Sequence, residues 1–282
     1  MGCILFGTLA SSRVVHQPRY RPPTLPGDFG LPWEDLRLTT QDKVPIAGWF
    51  IPSPNPTGVL LLLHGFGTCK ADLLDLAQAF HIEGPYHLLL IDFRGHGASG
   101  GQILSFGLRE VLDIQAALAF LSDDPRGREL PVGLFGISMG GAIGLLAAAR
   151  FPQIRAIVSD AAYADLSNAI ARAIRRAYYI PRFPLGQMVI WATQLRLRCP
   201  MRDLSPVHAI GKIAPRGVMM IHGLKDQSVP PEEGKALFQA AREPKALWLV
   251  PEAEHVASFY KDRQEYLRRV LGFFKDAFQR AS

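Results

Sequence analysis

The stretch "VGLFGISMGGAIG", residues 132–144, sets a serine between glycines, after an apolar run and before a run of small residues. Gly136-Ile137-Ser138-Met139-Gly140 reads G-x-S-x-G. An apolar run of this length reads as a buried strand, and "GGAIGLLAAARF" after it has helical spacing. Ser138 therefore stands at a strand-to-helix turn, the setting in which this motif presents a nucleophile. Glycines at 136 and 140 keep side chains out of a crowded turn, and the helix start offers unpaired N–H groups to a developing oxyanion. The plain alternative is a glycine-rich turn with no chemistry, so the reading depends on the rest of the chain.

Outward from the turn, strands and helices alternate. "GVLLLLHG", "YHLLLIDFRG", "PVGLFG", "IRAIVSD", "RGVMMIHG" and "ALWLVPEA" read as strands, and "DLRLTT" and "PIAGWFIP" as an earlier pair joined at "QDKV". "CKADLLDLAQAFHIEG", "GLREVLDIQAALAFL", "PEEGKALFQAAR" and "YKDRQEYLRRVLGFFKDAF" have helical spacing. This alternation predicts a mostly parallel central sheet with helices on both faces. Residues 161–212 interrupt it between the strand ending at Asp160 and the next. They are expected to form a small helical cap of two helices, "NAIARAIRRAYYI" and "LGQMVIWATQLRL", with Pro181 and Pro184 between them. The core is then 33–160 and 213–282, and residues 1–32, rich in proline and arginine, are expected to form an extended leader.

A serine hydroxyl needs a base, and the base needs a carboxylate to orient it. Of the eight histidines, His255 follows the "ALWLVPEA" strand, at the same sheet edge as Ser138. Asp226 in "HGLKDQSVP" follows the preceding strand at that edge. Asp160 is the rival acid; Glu252 and Glu254 read as solvated loop charges. His64 and His96 sit in glycine-rich turns and His222 within a strand, where histidines mostly satisfy backbone groups. No spacing fits zinc, and no metal or cofactor is expected.

"HGFG", "DFRGHGASGG", "GISMGG", "HGLKDQSVP" and "EH" occur in an order that resembles the α/β-hydrolase superfamily from about Trp33 onward. The likeness is to its serine-hydrolase branch with monoacylglycerol-lipase-like and S33-peptidase-like members. The chain order Ser138, Asp226, His255 is the order of that fold. The resemblance implies an oxyanion hole from the backbone N–H groups of Phe66 and Met139, with Phe66 also able to serve as a pocket wall, and a serine esterase acting on short-to-medium acyl esters. A peptidase, amidase or thioesterase on the same residues is the alternative, and a non-catalytic scaffold the more distant one. In the cap, Ile170, Ile174 and Tyr178 form one apolar stripe, and Leu185, Met188, Ala192 and Leu195 another. Met188 and Trp191 are expected to line the acyl pocket. The proline-rich start departs from the family pattern.

The charge is uneven. Of 31 lysines and arginines against 25 acids, seven arginines (172, 175, 176, 182, 196, 198 and 202) fall between Leu166 and Arg202, where no acid occurs. No nucleic-acid motif accompanies them, so the expected partner is a small ester. Cys3, Cys69 and Cys199 suggest neither a metal site nor a disulfide framework and fit a reducing, cytoplasmic compartment. The apolar run at the start is only about eight residues, too short to span a bilayer. Met1-Gly2 resembles a myristoylation start, but Phe6 stands where Ser or Thr is needed. Peripheral membrane contact through the N-terminus or the basic insertion is left open.

Overall fold

The computed structural model describes residues 2–280. Its centre is an eight-stranded sheet in the order β1-β2-β4-β3-β5-β6-β7-β8. The strands are β1 (Glu34–Thr39), β2 (Pro45–Ile51), β3 (Gly58–Leu63), β4 (Tyr86–Ile91), β5 (Val132–Ile137), β6 (Ile154–Asp160), β7 (Gly217–Gly223) and β8 (Lys245–Val250). β2 pairs antiparallel with β1 and β4, and every other pairing is parallel. The expected α/β-hydrolase architecture is present.

The strand sequences follow from burial on two faces. β3 and β4 are buried at every residue, which is why β3 reads as an unbroken apolar run and β4 as one interrupted only at His87. Along β3, Leu61 and Leu63 join one core layer while Leu60 and Leu62 join the other, the two-residue period of a strand. The first layer is closed by α3 (Glu110–Asp123), α4 (Met139–Arg150) and α7 (Pro231–Ala240). The second is closed by α2 (Leu74–Glu83) and α9 (Arg263–Gln279), whose Tyr266, Val270 and Phe274 are fully buried. A one-turn helix, α8 (Ser258–Lys261), precedes α9.

The sheet order places the site. After β3 the chain pairs on one side with β4 and later returns on the other side as β5. The loops leaving β3 and β5 therefore diverge at their carboxyl ends and open a crevice there.

Between β6 and β7 lie α5 (Leu166–Tyr178) and α6 (Gln187–Leu197), followed by short 3-10 turns. Asp165 caps α5 by accepting the Asn168 N–H at 2.8 Å. Leu166, Ile170, Ala171 and Ile174 form its buried face, whereas Tyr178 is exposed. In α6 the buried residues are Val189, Ile190, Thr193 and Leu197, and Leu195 is exposed. The expected stripe of Leu185, Met188, Ala192 and Leu195 is thus out of phase. α6 is apolar around much of its circumference, so periodicity alone does not choose its buried face.

The expected extended leader also needs correction. Gly2–Val15 form a helix, α1, and only the following residues run extended. α1 packs on α6: a Cβ at Gly7 would stand 3.4 Å from the Met188 carbonyl oxygen. Contact with the insertion supplies the stability that its glycines and hydroxyl residues lack as local helix formers. Beyond it, Arg19 and Arg21 donate to carbonyls of Gly97, Ser99 and Gly101, pinning the extended part to the glycine-rich loop. Met1 of the Met1-Gly2 pair lies outside the described residues. Among the described residues no helix is long and apolar enough to cross a membrane.

Candidate active site

Ser138 follows β5 and caps α4 with φ 50° and ψ −118°, a backbone state that favours glycine. The flanking glycines permit it. A Cβ on Gly136 would come within 2.5 Å of the Gly140 carbonyl oxygen, and one on Gly140 would overlap the Leu63 and His64 carbonyl oxygens. The turn is held against β3 so closely that neither position has room for a methyl group. Gly140→Ala is expected to cost at least about 2 kcal/mol, because the obstacle is backbone that cannot rotate away. Urea unfolding checks this, and an unshifted midpoint would mean that the turn relaxes freely.

His255 lies in the loop between β8 and α8. Its Nε2 is 3.0 Å from Ser138 Oγ and its Nδ1 is 2.6 Å from Asp226 Oδ2. Asp226 follows β7, and its side chain is fully buried. Its other oxygen, Oδ1, accepts the backbone N–H groups of Ser228 and Val229, both at 2.8 Å. Burial alone would raise the Asp226 pKa. The nearby His222 ring, the hydrogen bond and charge of His255 and the Val229 N–H outweigh burial and hold the carboxyl below its ordinary range. An ionised Asp226 draws the Nδ1 proton of His255 and leaves Nε2 free to accept from the serine.

The rival acid is engaged elsewhere. Asp160 Oδ2 accepts the Tyr266 hydroxyl at 2.9 Å, and Oδ1 is 3.4 Å from Ser258 Oγ. Burial pushes its pKa up to about 6, against the opposing bond from Tyr266. Glu252 pairs with Lys225 at the surface, and Glu254 is exposed. His64 is fully buried; its Nδ1–H donates to the Gly65 carbonyl at 2.8 Å and its Nε2 accepts the Phe93 N–H at 3.0 Å. Burial depresses its pKa to about 4. It supports the loop after β3 as a neutral ring. His96 is buried beside it, ring centroids 5.1 Å apart.

That loop meets the serine. A Cβ at Gly65 would lie 3.6 Å from Ser138 Cβ, so Phe66 follows immediately beside the turn. Met139 is the first residue of α4, where a backbone N–H has no intrahelical acceptor. The Phe66 ring is exposed and stacks on Phe106, centroids 6.4 Å apart and planes inclined by 11°. Met188 packs on α1 at Gly7, and Trp191 is 60 % exposed. Phe66, on the loop that meets Ser138, and Phe106 form an aromatic pair.

Two supporting residues escaped the sequence reading. His222, read only as a hydrogen-bonded core histidine, donates from Nε2 to the Val229 carbonyl at 2.7 Å and lies 3.6 Å from Asp226 Oδ2. Its spacing of four residues before Asp226, across a strand end, was the available signal. Glu233 in α7 accepts the N–H groups of Ala164 and Asp165 and pairs with Arg172 of α5 at 2.6 Å. It ties the entry of the insertion to the core, and nothing in a lone helical glutamate announces that.

Comparison with known proteins agrees with this fold. The profile of the family described as serine aminopeptidase, S33, matches residues 54–210. An uncharacterized Bacillus subtilis protein, YqkD, is 28% identical over 230 residues, 81% of this chain and 74% of that one. A Penicillium polyketide transferase, grgF, is 26% identical over 87% of this chain and 97% of its own. Among solved structures, a Pyrococcus furiosus esterase superposes with a TM-score of 0.79 at 26% identity, covering 93% of this chain and 97% of that one.

Proposed function

Because the chain belongs to the serine aminopeptidase S33 family of α/β-hydrolase serine hydrolases, we propose that it cleaves carboxylic esters through an acyl-enzyme formed on Ser138. The observation that carries this reading is the unbroken bonded row from Ser138 Oγ through His255 to Asp226. In the proposed reaction Ser138 Oγ attacks the acyl carbon while its proton passes to His255 Nε2. The Phe66 and Met139 N–H groups hold the oxyanion. Collapse breaks the bond to the alcohol, which leaves with the proton from His255. Water then gives a proton to His255, attacks the acyl carbon and releases the acid, restoring Ser138. Asp226 stays ionised throughout and fixes the ring.

An ester is favoured over an amide by what surrounds the serine. The loop that meets the serine carries Phe66, paired with Phe106, which suits a short-to-medium acyl chain. Between Leu166 and Arg202 the insertion carries no acid to bind the amino terminus of a peptide. The esterase name of the Pyrococcus furiosus neighbour supports the same choice. Peptide or amide cleavage is the second reading, favoured by the family's description as aminopeptidases. Matched p-nitrophenyl esters and p-nitroanilides of one acyl group separate the two, with kcat/KM expected to be larger for the ester series and to rise with acyl length until the aromatic pair is covered. Faster cleavage of an aminoacyl anilide than of any ester would replace this proposal with the peptidase. Failure of Ser138 to take a fluorophosphonate label would point to a non-catalytic protein.

A further inference from the structure

The insertion presents a surface that hydrolysis of a small ester does not require. From Arg175 to Pro184 every residue except Ile180 is exposed. Three of these are aromatic: Tyr178, Tyr179 at 90 % exposure and Phe183 at 77 %. Single exposed apolar residues are ordinary, but three rings within six positions are not. On α6, Trp191 and Leu195 add two more exposed apolar side chains one turn apart.

Positive charge is interleaved with these rings. Tyr179, Pro181, Arg175 and Arg182 border one cavity of about 550 Å³ together with Arg172. Glu233 neutralises Arg172 from outside the insertion. Arg182 donates only to a neutral amide, Asn168 Oδ1 at 2.8 Å, and between Leu166 and Arg202 there is no acid to offset the rest. The surface therefore combines the guanidinium groups of Arg175 and Arg182 with water-exposed rings.

We propose that this face of the insertion docks the protein on an anionic lipid surface. Rings such as these settle at the level of lipid headgroups, where their apolar bodies leave water. Arginine stems lie along the same apolar boundary while their heads meet phosphates. The complement is a negatively charged bilayer, because the guanidinium groups call for negative charge and the exposed rings for an apolar boundary at the same level. The attachment to the core is short: Arg176 donates to Ser228 Oγ, and the Ser228 N–H donates to Asp226. Docking would thus hold the catalytic loop near the membrane.

The test needs no turnover, so it stands apart from the ester-hydrolase proposal. The whole protein is sedimented with phosphatidylglycerol–phosphatidylcholine vesicles and with phosphatidylcholine vesicles, at low and high salt. Binding is expected to the anionic vesicles and to weaken with salt. Arg175→Ala with Arg182→Ala should lower partitioning about 25-fold, at about fivefold for each arginine. Tyr179→Asn with Phe183→Ser should lower it at least about tenfold. Thermal unfolding at the wild-type midpoint shows that each variant is folded; a variant that unfolds early is replaced by Trp191→Ser with Leu195→Ser, read against the same loss. Equal binding to both vesicle types, or no binding to either, overturns the proposal. So does full binding by the folded ring variants, which would reduce the surface to attraction for any polyanion.

Discussion

Ester turnover by Ser138→Ala or His255→Ala is expected to fall by about three orders of magnitude or more, with the fold intact. Both residues sit in loops at the carboxyl edge of the sheet, and neither side chain fills the core. The losses should not add in a double variant, because the serine without its base and the base without its serine disable the same step. A further expectation separates function from stability at this position. Ser138 is held at φ 50°, a conformation that costs a side-chain-bearing residue of order 1 kcal/mol and glycine little. Ser138→Gly should therefore be as inactive as Ser138→Ala yet more stable than either it or the wild type. Turnover of a short p-nitrophenyl ester and urea midpoints measure the two effects. Near-normal turnover by purified Ser138→Ala would end the serine-hydrolase reading. A glycine variant no more stable than the alanine variant would mean that the turn stores no strain.

What could be read in advance follows from how local each cause is. The strands of the sheet were legible because burial on both faces leaves β3 wholly apolar and β4 with His87 as its one charged-type position. The turn at Ser138 was legible because steric exclusion at Gly136 and Gly140 has no other solution. Asp226 and His255 were legible through order alone: each follows a strand at the edge where Ser138 stands. The choice between Asp226 and Asp160 was not local. It depends on Tyr266, 106 positions away, taking up Asp160. The helix at Gly2–Val15 was invisible for the same reason, since its partner is α6. The buried face of α6 was not legible because a helix apolar on several sides does not declare which side meets the core. Trp191 faces outward, and Met188 meets α1.

The second large effect is expected at Asp226. Asp226→Asn should lower turnover at neutral pH by about three orders of magnitude, although it removes a single charge and no volume. The backbone decides the outcome. Oδ1 accepts two N–H groups, from Ser228 and Val229, so an asparagine must place its oxygen there. Its amide NH2 then faces His255 Nδ1, which has to become an acceptor. The ring proton moves to Nε2 and points at Ser138 Oγ, and the base is lost. Asp160→Asn should behave differently. Its amide oxygen can still accept from Tyr266, so turnover is expected to stay within a few-fold of wild type. Its effect lies in stability. Asp160 titrates at about 6 in the fold against an ordinary value of 3.8, so the native state binds the extra proton between those values. Wild-type stability therefore declines as pH rises from about 4 to about 6, by up to the order of 3 kcal/mol, and Asp160→Asn should lack that decline. Asp226 has the opposite sign: its lowered pKa contributes stability above the ordinary range that is lost as pH falls. Urea unfolding of both variants at pH 4 and pH 7, beside kcat on one ester, reads all four outcomes. If Asp160→Asn abolished turnover and Asp226→Asn spared it, the carboxylate that orients His255 would be Asp160, and the row of bonds through Asp226 would have to be set aside.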